Sequence, residues 1–127
     1  MIVLLHGEPG WNRWPPIRKV FDVLTRHDTV VYDGAQGLGS MVEFHAQTLK
    51  VVKRPTLELH RAEWPRYPED ADTRRNQRMV LVGHPSAIVL FRDGPDGGAD
   101  ELIKLAGQVP HPIAVYEWED FVGTMQR

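Results

Sequence analysis

Arg75, Glu101 and the glycines of Phe91-Arg92-Asp93-Gly94-Pro95-Asp96-Gly97-Gly98-Ala99-Asp100-Glu101 have the residue types and spacing for ligand chemistry. A glycine-rich turn between an apolar strand and a helix start suits anion contact, because a helix's first N–H groups lack partners within it. A nearby arginine supplies the matching cation. Ala62-Glu63-Trp64-Pro65-Arg66-Tyr67 and Arg75-Asn76-Gln77-Arg78-Met79 crowd further aromatics and arginines ahead of that loop. Together these features point to a phosphorylated small molecule. Each residue also has a plain role open to it. Gly94, Gly97 and Gly98 can serve only a tight turn. Arg75 shares a charge run with Arg74 and Arg78, and such runs usually face water. Glu101 can be a first-turn acid facing the helix dipole. Trp64 and Tyr67 are either a lid that stacks on a base or a hydrophobic plug under a long loop, with the plug preferred.

His6, His27, His45, His60, His84 and His111 show no pair at i, i+3 or i, i+4. No preformed metal site is therefore expected. Of the six, only His6 sits where a strand end meets a ligand. Asp33 ends a second strand and can reach a ribose hydroxyl, or equally serve a cap or turn. Neither a Gly-x-Ser-x-Gly elbow nor a Gly-Lys-Ser/Thr phosphate loop occurs, which argues against a serine hydrolase or a common NTPase.

The elements that must hold these residues follow from hydrophobic patterning. Ile2–Leu5 is an unbroken aliphatic run stopped by His6-Gly7-Glu8-Pro9-Gly10. Pro15-Pro16 opens a helix carrying Ile17, Val20, Phe21 and Leu24 at helical spacing. Thr29–Tyr32 is a second strand. Ser40, with Glu43 as capping partner, starts a helix to about Lys50 with Met41, Phe44 and Leu49 inward. Pro55–Leu59 is a weaker third strand, and Asp72 or Thr73 begins a helix reaching Val82. Ser86–Phe91 is the most apolar strand, followed by a helix over Gly98–Leu105 and a fifth strand over Pro112–Tyr116. The tail from Glu117 to Arg127 is left as a short helix or an irregular end. Unbroken apolar strands alternating with helices mark a parallel sheet covered on both faces. Right-handed crossovers restrict this to an α/β, Rossmann-like, doubly wound sheet of five strands within one domain over residues 1–127. If the chain winds one way through strands 1, 2 and 3 and returns for 4 and 5, the order is 3-2-1-4-5. Ligands bind such sheets outside the carboxyl ends at the switch point, here between strands 1 and 4. The loops Gly7–Gly10, Gly34–Gly39 and Gly94–Gly98 converge there.

Fifteen basic residues against seventeen acidic give a net charge of −2, so no global field draws the chain to nucleic acid or anionic lipid. The absence of cysteine excludes disulfides and thiolate metal sites and fits a reducing compartment. No apolar run approaches the roughly 20 residues of a membrane span. Met1–Leu5 lacks the length and cationic lead of a signal peptide. A cytoplasmic location is expected.

The motifs in order resemble the YspA-like branch of the SLOG superfamily, relatives of the DNA-processing Smf/DprA proteins and the LOG phosphoribohydrolases. Trp11, Gly34-Ala35-Gln36-Gly37, Trp64-Pro65-Arg66-Tyr67, Arg75-Asn76-Gln77-Arg78-Met79 and Gly97-Gly98-Ala99-Asp100 stand where that branch carries its own. The resemblance spans roughly residues 1–116. It implies that Arg75 holds the position of the LOG catalytic arginine. Glu101, three residues after Gly98, holds that of the catalytic glutamate. The departures are specific: His6-Gly7-Glu8-Pro9 replaces an opening Gly-Gly-Arg, Gly39 replaces an aspartate, and Gly98 replaces a threonine. The Asp93–Asp96 stretch is also longer and more acidic. Two added carboxylates beside a phosphate cradle repel an anion unless they point outward or hold a cation.

The sequence therefore implies a domain that binds or senses a nucleotide or nucleotide-derived ligand, in a mobile-element or phage setting by family resemblance. His6, Gly7, Gly34, Gly37, Trp64, Tyr67, Gly94, Gly97 and Gly98 are the expected ligand contacts, with Arg75 and Glu101 catalytic if the chain is an enzyme. That alternative is an N-glycosidic hydrolase of nucleoside monophosphates. Single-stranded DNA binding ranks below both, since charge shows no continuous cationic groove. No cofactor, metal or membrane partner is expected, and a homodimer or higher homo-oligomer is left open.

Overall fold

The computed structural model describes residues 1–34 and 37–126. Five strands, β1 (Ile2–Gly7), β2 (Thr29–Asp33), β3 (Thr56–His60), β4 (Ala87–Phe91) and β5 (Ala114–Glu117), form one sheet in the order β3-β2-β1-β4-β5. Every pairing is parallel. The helices are α1 (Trp14–Asp22), α2 (Leu38–Thr48), α3 (Ala71–Leu81), α4 (Gly97–Ala106) and α5 (Trp118–Met125), with a 3-10 turn at Val51–Lys53 before β3. This is a single Rossmann-like α/β domain, in the strand order expected for a chain that winds one way through three strands and then returns.

Side-chain alternation along the strands divides the core in two. Val3, Leu5, Val30, Tyr32, Val89 and Phe91 pack against Ile17, Val20, Phe21, Val42 and Phe121 of α1, α2 and α5. Leu4, Val31, Ile88 and Leu90 face Met79 and Val80 of α3 and Ala99 and Leu102 of α4. All five β4 residues are buried because both faces of that strand are covered. Burying each large aliphatic or aromatic side chain there contributes roughly 1.5–3 kcal/mol.

Some local expectations are corrected. Helix α2 begins at Leu38 behind Gly37, so Ser40 is not its cap, and among the described residues no side chain caps it. The reason lies in packing: a Cβ on Gly39 would lie 2.3 Å from the Asp33 carbonyl oxygen, so only glycine lets the first turn settle on the end of β2. Phe44, expected inward, is 62% exposed and meets Trp14 edge-on. The tail forms α5, which buries Phe121 and Val122 against the α1 side. Of the glycine turn after β2, Ala35 and Gln36 lie outside the described residues. Among the described residues, no helix is long and apolar enough to cross a membrane.

Candidate functional site

The alternation that sorts the core also aims the strand ends. His6 follows Leu4, and Asp33 follows Val31, onto the face covered by α3 and α4. Strand β1 lies between β2 and β4, so its carboxyl end opens the crevice from which flanking loops diverge. A cleft of about 420 Å³ occupies that position, walled by His6, Glu8, Asp33, Arg75, Asp96 and Glu101 together with backbone of the three loops.

Helix α3 supplies one wall. Its inward stripe is Ala71, Arg75, Asn76, Met79 and Val80, spaced as one helical face demands. Met79 and Val80 reach the apolar core, while Arg75 and Asn76, one turn earlier, emerge at the crevice. Arg75 is only 8% exposed. Its Nη1 donates to Asp72 Oδ1 at 3.0 Å and lies 3.9 Å from Asp33 Oδ2. Its Nε and Nη2 donate to Asn76 Oδ1 at 3.3 and 3.1 Å. Asn76 Nδ2 then donates to Glu101 Oε1 at 2.7 Å, and Thr73 Oγ1 donates to Glu101 Oε2 at 3.1 Å. Arg75 and Glu101, far apart in sequence, thus join one hydrogen-bonded chain through a buried amide. Arg74 instead pairs with exposed Asp70 and lies 4.1 Å from the Tyr67 ring.

The glycine loop supplies the opposite wall. Asp96 is the N-cap of α4, its side chain accepting from Gly98 N at 3.2 Å and Ala99 N at 3.3 Å. Its Oδ2 also meets His6 Nε2 at 2.7 Å, with both side chains more than nine-tenths buried. His6 Nδ1 is buried without a hydrogen-bond partner among the described residues. A Cβ on Gly98 would approach His6 Cε1 to 2.8 Å, whereas one on Gly97 would meet nothing. Gly98 is therefore a packing requirement of the His6–Asp96 contact. The second acid of this loop points the other way: Asp93 Oδ1 accepts from Arg13 Nη1 at 2.7 Å on the exposed surface, and its backbone N–H donates to Glu8 Oε1 at 3.1 Å. These contacts tie the loop after β1 to the loop after β4.

A smaller alcove of about 220 Å³ adjoins the cleft, sharing Asp72 and Arg75 and adding Gly34, Arg61, Ala62 and Trp64. Trp64 is 49% exposed, so it is not a plug. Its loop is anchored by Arg78, which donates from Nε to His60 Nδ1 at 3.1 Å and from Nη2 to the Arg61 carbonyl at 2.5 Å. With Nδ1 accepting, His60 carries its proton on Nε2 and donates to Glu58 Oε2 at 2.8 Å.

Of the residues singled out from sequence, His6, Gly7, Gly97, Gly98, Arg75 and Glu101 line the cleft, and Gly34 and Trp64 line the alcove. Three stand apart. Gly94 lies on the outer side of its loop beside Arg92 and Glu117, Gly37 packs against Trp11 backbone, and Tyr67 sits between Arg66 and Arg74. Sequence reasoning did not select Asp72, Asn76 or Arg61. The helical stripe from Met79 back to Ala71 held the signal for Asn76, but Arg61 carries none outside the folded loop. Among the described residues, no group of three or more histidine, aspartate or glutamate side chains is arranged to hold a metal ion.

Fold and site together define a Rossmann-like α/β domain with a polar switch-point crevice. No family model, curated protein or solved structure matches the chain.

Proposed function

We propose that this domain binds a nucleotide or nucleotide-derived ligand in the switch-point cleft, and that it belongs with the YspA-like proteins its motifs resemble. One observation carries the reading: the Trp64 alcove borders the cleft, with Asp72 and Arg75 lining both. A carboxylate-walled chamber offers acceptors for sugar hydroxyls, and the adjoining half-exposed indole offers a stacking face for a base. The two together match the parts of a nucleoside. Thermal unfolding with a panel of ribonucleosides and their 5′-monophosphates, alongside mass spectrometry of whatever co-purifies, tests this. At least one member should raise the melting temperature, and Trp64→Ala should diminish that shift. Absence of any shift, with nothing co-purified, refutes the reading.

A hydrolase is the second reading, favoured by the Arg75–Asn76–Glu101 chain, which orients a carboxylate within the cleft wall. Glu101 would there stabilise a developing oxocarbenium ion or activate water. Release of free base from a nucleoside monophosphate, lost in Glu101→Gln, distinguishes enzyme from sensor. Single-stranded DNA binding draws no support from a cleft walled by carboxylates, which oppose a phosphate backbone.

A further inference from the structure

We infer that the cleft selects an unphosphorylated nucleoside over its 5′-phosphate, with Asp96 as the specificity-determining residue; the inference rests on the ligand site proposed above. The exposed backbone amides at a helix N-terminus are the feature by which a glycine loop after a strand takes up phosphate. In this protein the first-turn amides of α4 already have an anion. Asp96 accepts from Gly98 N and Ala99 N. The same carboxylate is held from behind by His6 Nε2 at 2.7 Å, and the pair is buried. Gly98 lets the helix close on the imidazole without room for a side chain, so the carboxylate is seated by packing as well as by hydrogen bonds.

The remaining charge in the cleft has the same sense. Among the described residues, Glu8, Asp33, Asp72 and Glu101 line it beside Asp96, against one arginine and one histidine. Arg75, the only arginine of that wall among the described residues, already donates to Asp72 and Asn76. A phosphate entering here would have to displace Asp96 from its amides or lie beside it, and like charges at such range repel strongly in a partly desolvated cleft. Sugar hydroxyls meet no such barrier, because carboxylates accept their protons in hydrogen bonds.

Calorimetric titration of the four ribonucleosides and their 5′-monophosphates against wild type, Asp96→Asn and Asp96→Gly tests the inference. Wild type should bind one nucleoside at least about tenfold more tightly than its monophosphate, as expected for an added anion beside a fixed carboxylate. Asp96→Asn keeps an N-capping side chain and removes the charge, so it should narrow that preference even if Asp96→Gly does not fold. Asp96→Gly clears the amides and should reverse the preference by tightening the monophosphate alone. A wild-type protein that prefers the monophosphate, or a preference unchanged in both variants, overturns the role of Asp96 and leaves the ligand site standing. Absence of binding by every nucleoside and monophosphate to all three proteins overturns the inference together with the ligand reading beneath it.

Discussion

Adjacent glycines at the start of α4 should respond to the same substitution with opposite signs. A Cβ on Gly97 meets open space, and the residue begins the helix at an exposed position. Gly97→Ala therefore restricts the unfolded chain without native strain and should stabilise the protein by about 0.4–1 kcal/mol. A Cβ on Gly98 would stand 2.8 Å from His6 Cε1 and 3.1 Å from His6 Nε2. The imidazole is buried and held by Asp96, so it cannot swing aside without breaking that contact. Overpacking of this kind costs about 1–3 kcal/mol, which exceeds the entropic gain. The entropic gain is common to both variants and cancels, so they should differ by roughly 1–3 kcal/mol. Urea unfolding resolves this easily, since an m-value of about 1–3 kcal/mol/M converts it to a midpoint difference of order 1 M. Placing Gly98→Ala on a His6→Ala background removes the obstructing ring, and the cycle should return a coupling of at least about 1 kcal/mol. Equal midpoints for the two alanine variants, or no coupling to His6, would refute the close seating of α4 on β1.

Three further outcomes follow from other contacts. Asn76→Ala should destabilise by about 1–3 kcal/mol, because it strips acceptors and donors from Arg75 and Glu101 at once; chemical denaturation measures it. Arg78→Ala should speed limited proteolysis in the Arg61–Tyr67 loop while β4 remains protected, since Arg78 holds both His60 and the Arg61 carbonyl. Burial lowers the pKa of His45 below its ordinary 6.5, with Arg18 adding to the effect and Asp22 opposing it. A lowered folded-state pKa means the unfolded chain binds the proton more readily. The associated stability is thus complete above pH 6.5 and is lost as pH falls below it. His45→Phe, which keeps the edge contacts with Trp14 and Phe21, should show a shallower loss of melting temperature between neutral and mildly acid pH.

What the sequence by itself determined was whatever repeats at short range. Unbroken aliphatic runs at Ile2–Leu5, Thr29–Tyr32 and Ser86–Phe91, separated by helical stripes, suffice for a parallel sheet, and crossover handedness with a single reversal of winding after the third strand gives its order. The place of the crevice then follows from topology alone, and the arginine at position 75 could be ranked above 74 and 78 only by its resemblance to a motif. Direction and partnership belong to the tertiary structure. Asp93 and Asp96 sit three residues apart in one acidic loop, yet the first faces Arg13 on the surface and the second turns inward to α4 and His6. Their partners lie 80 and 90 residues away in the chain, so no local pattern distinguishes them. Gly98 reads as a phosphate glycine from its neighbours, but its lack of a side chain serves the imidazole behind it. The physical reason is common to all three residues. Backbone periodicity is a property of a segment, whereas the orientation of a loop side chain depends on which distant segment the fold brings against it.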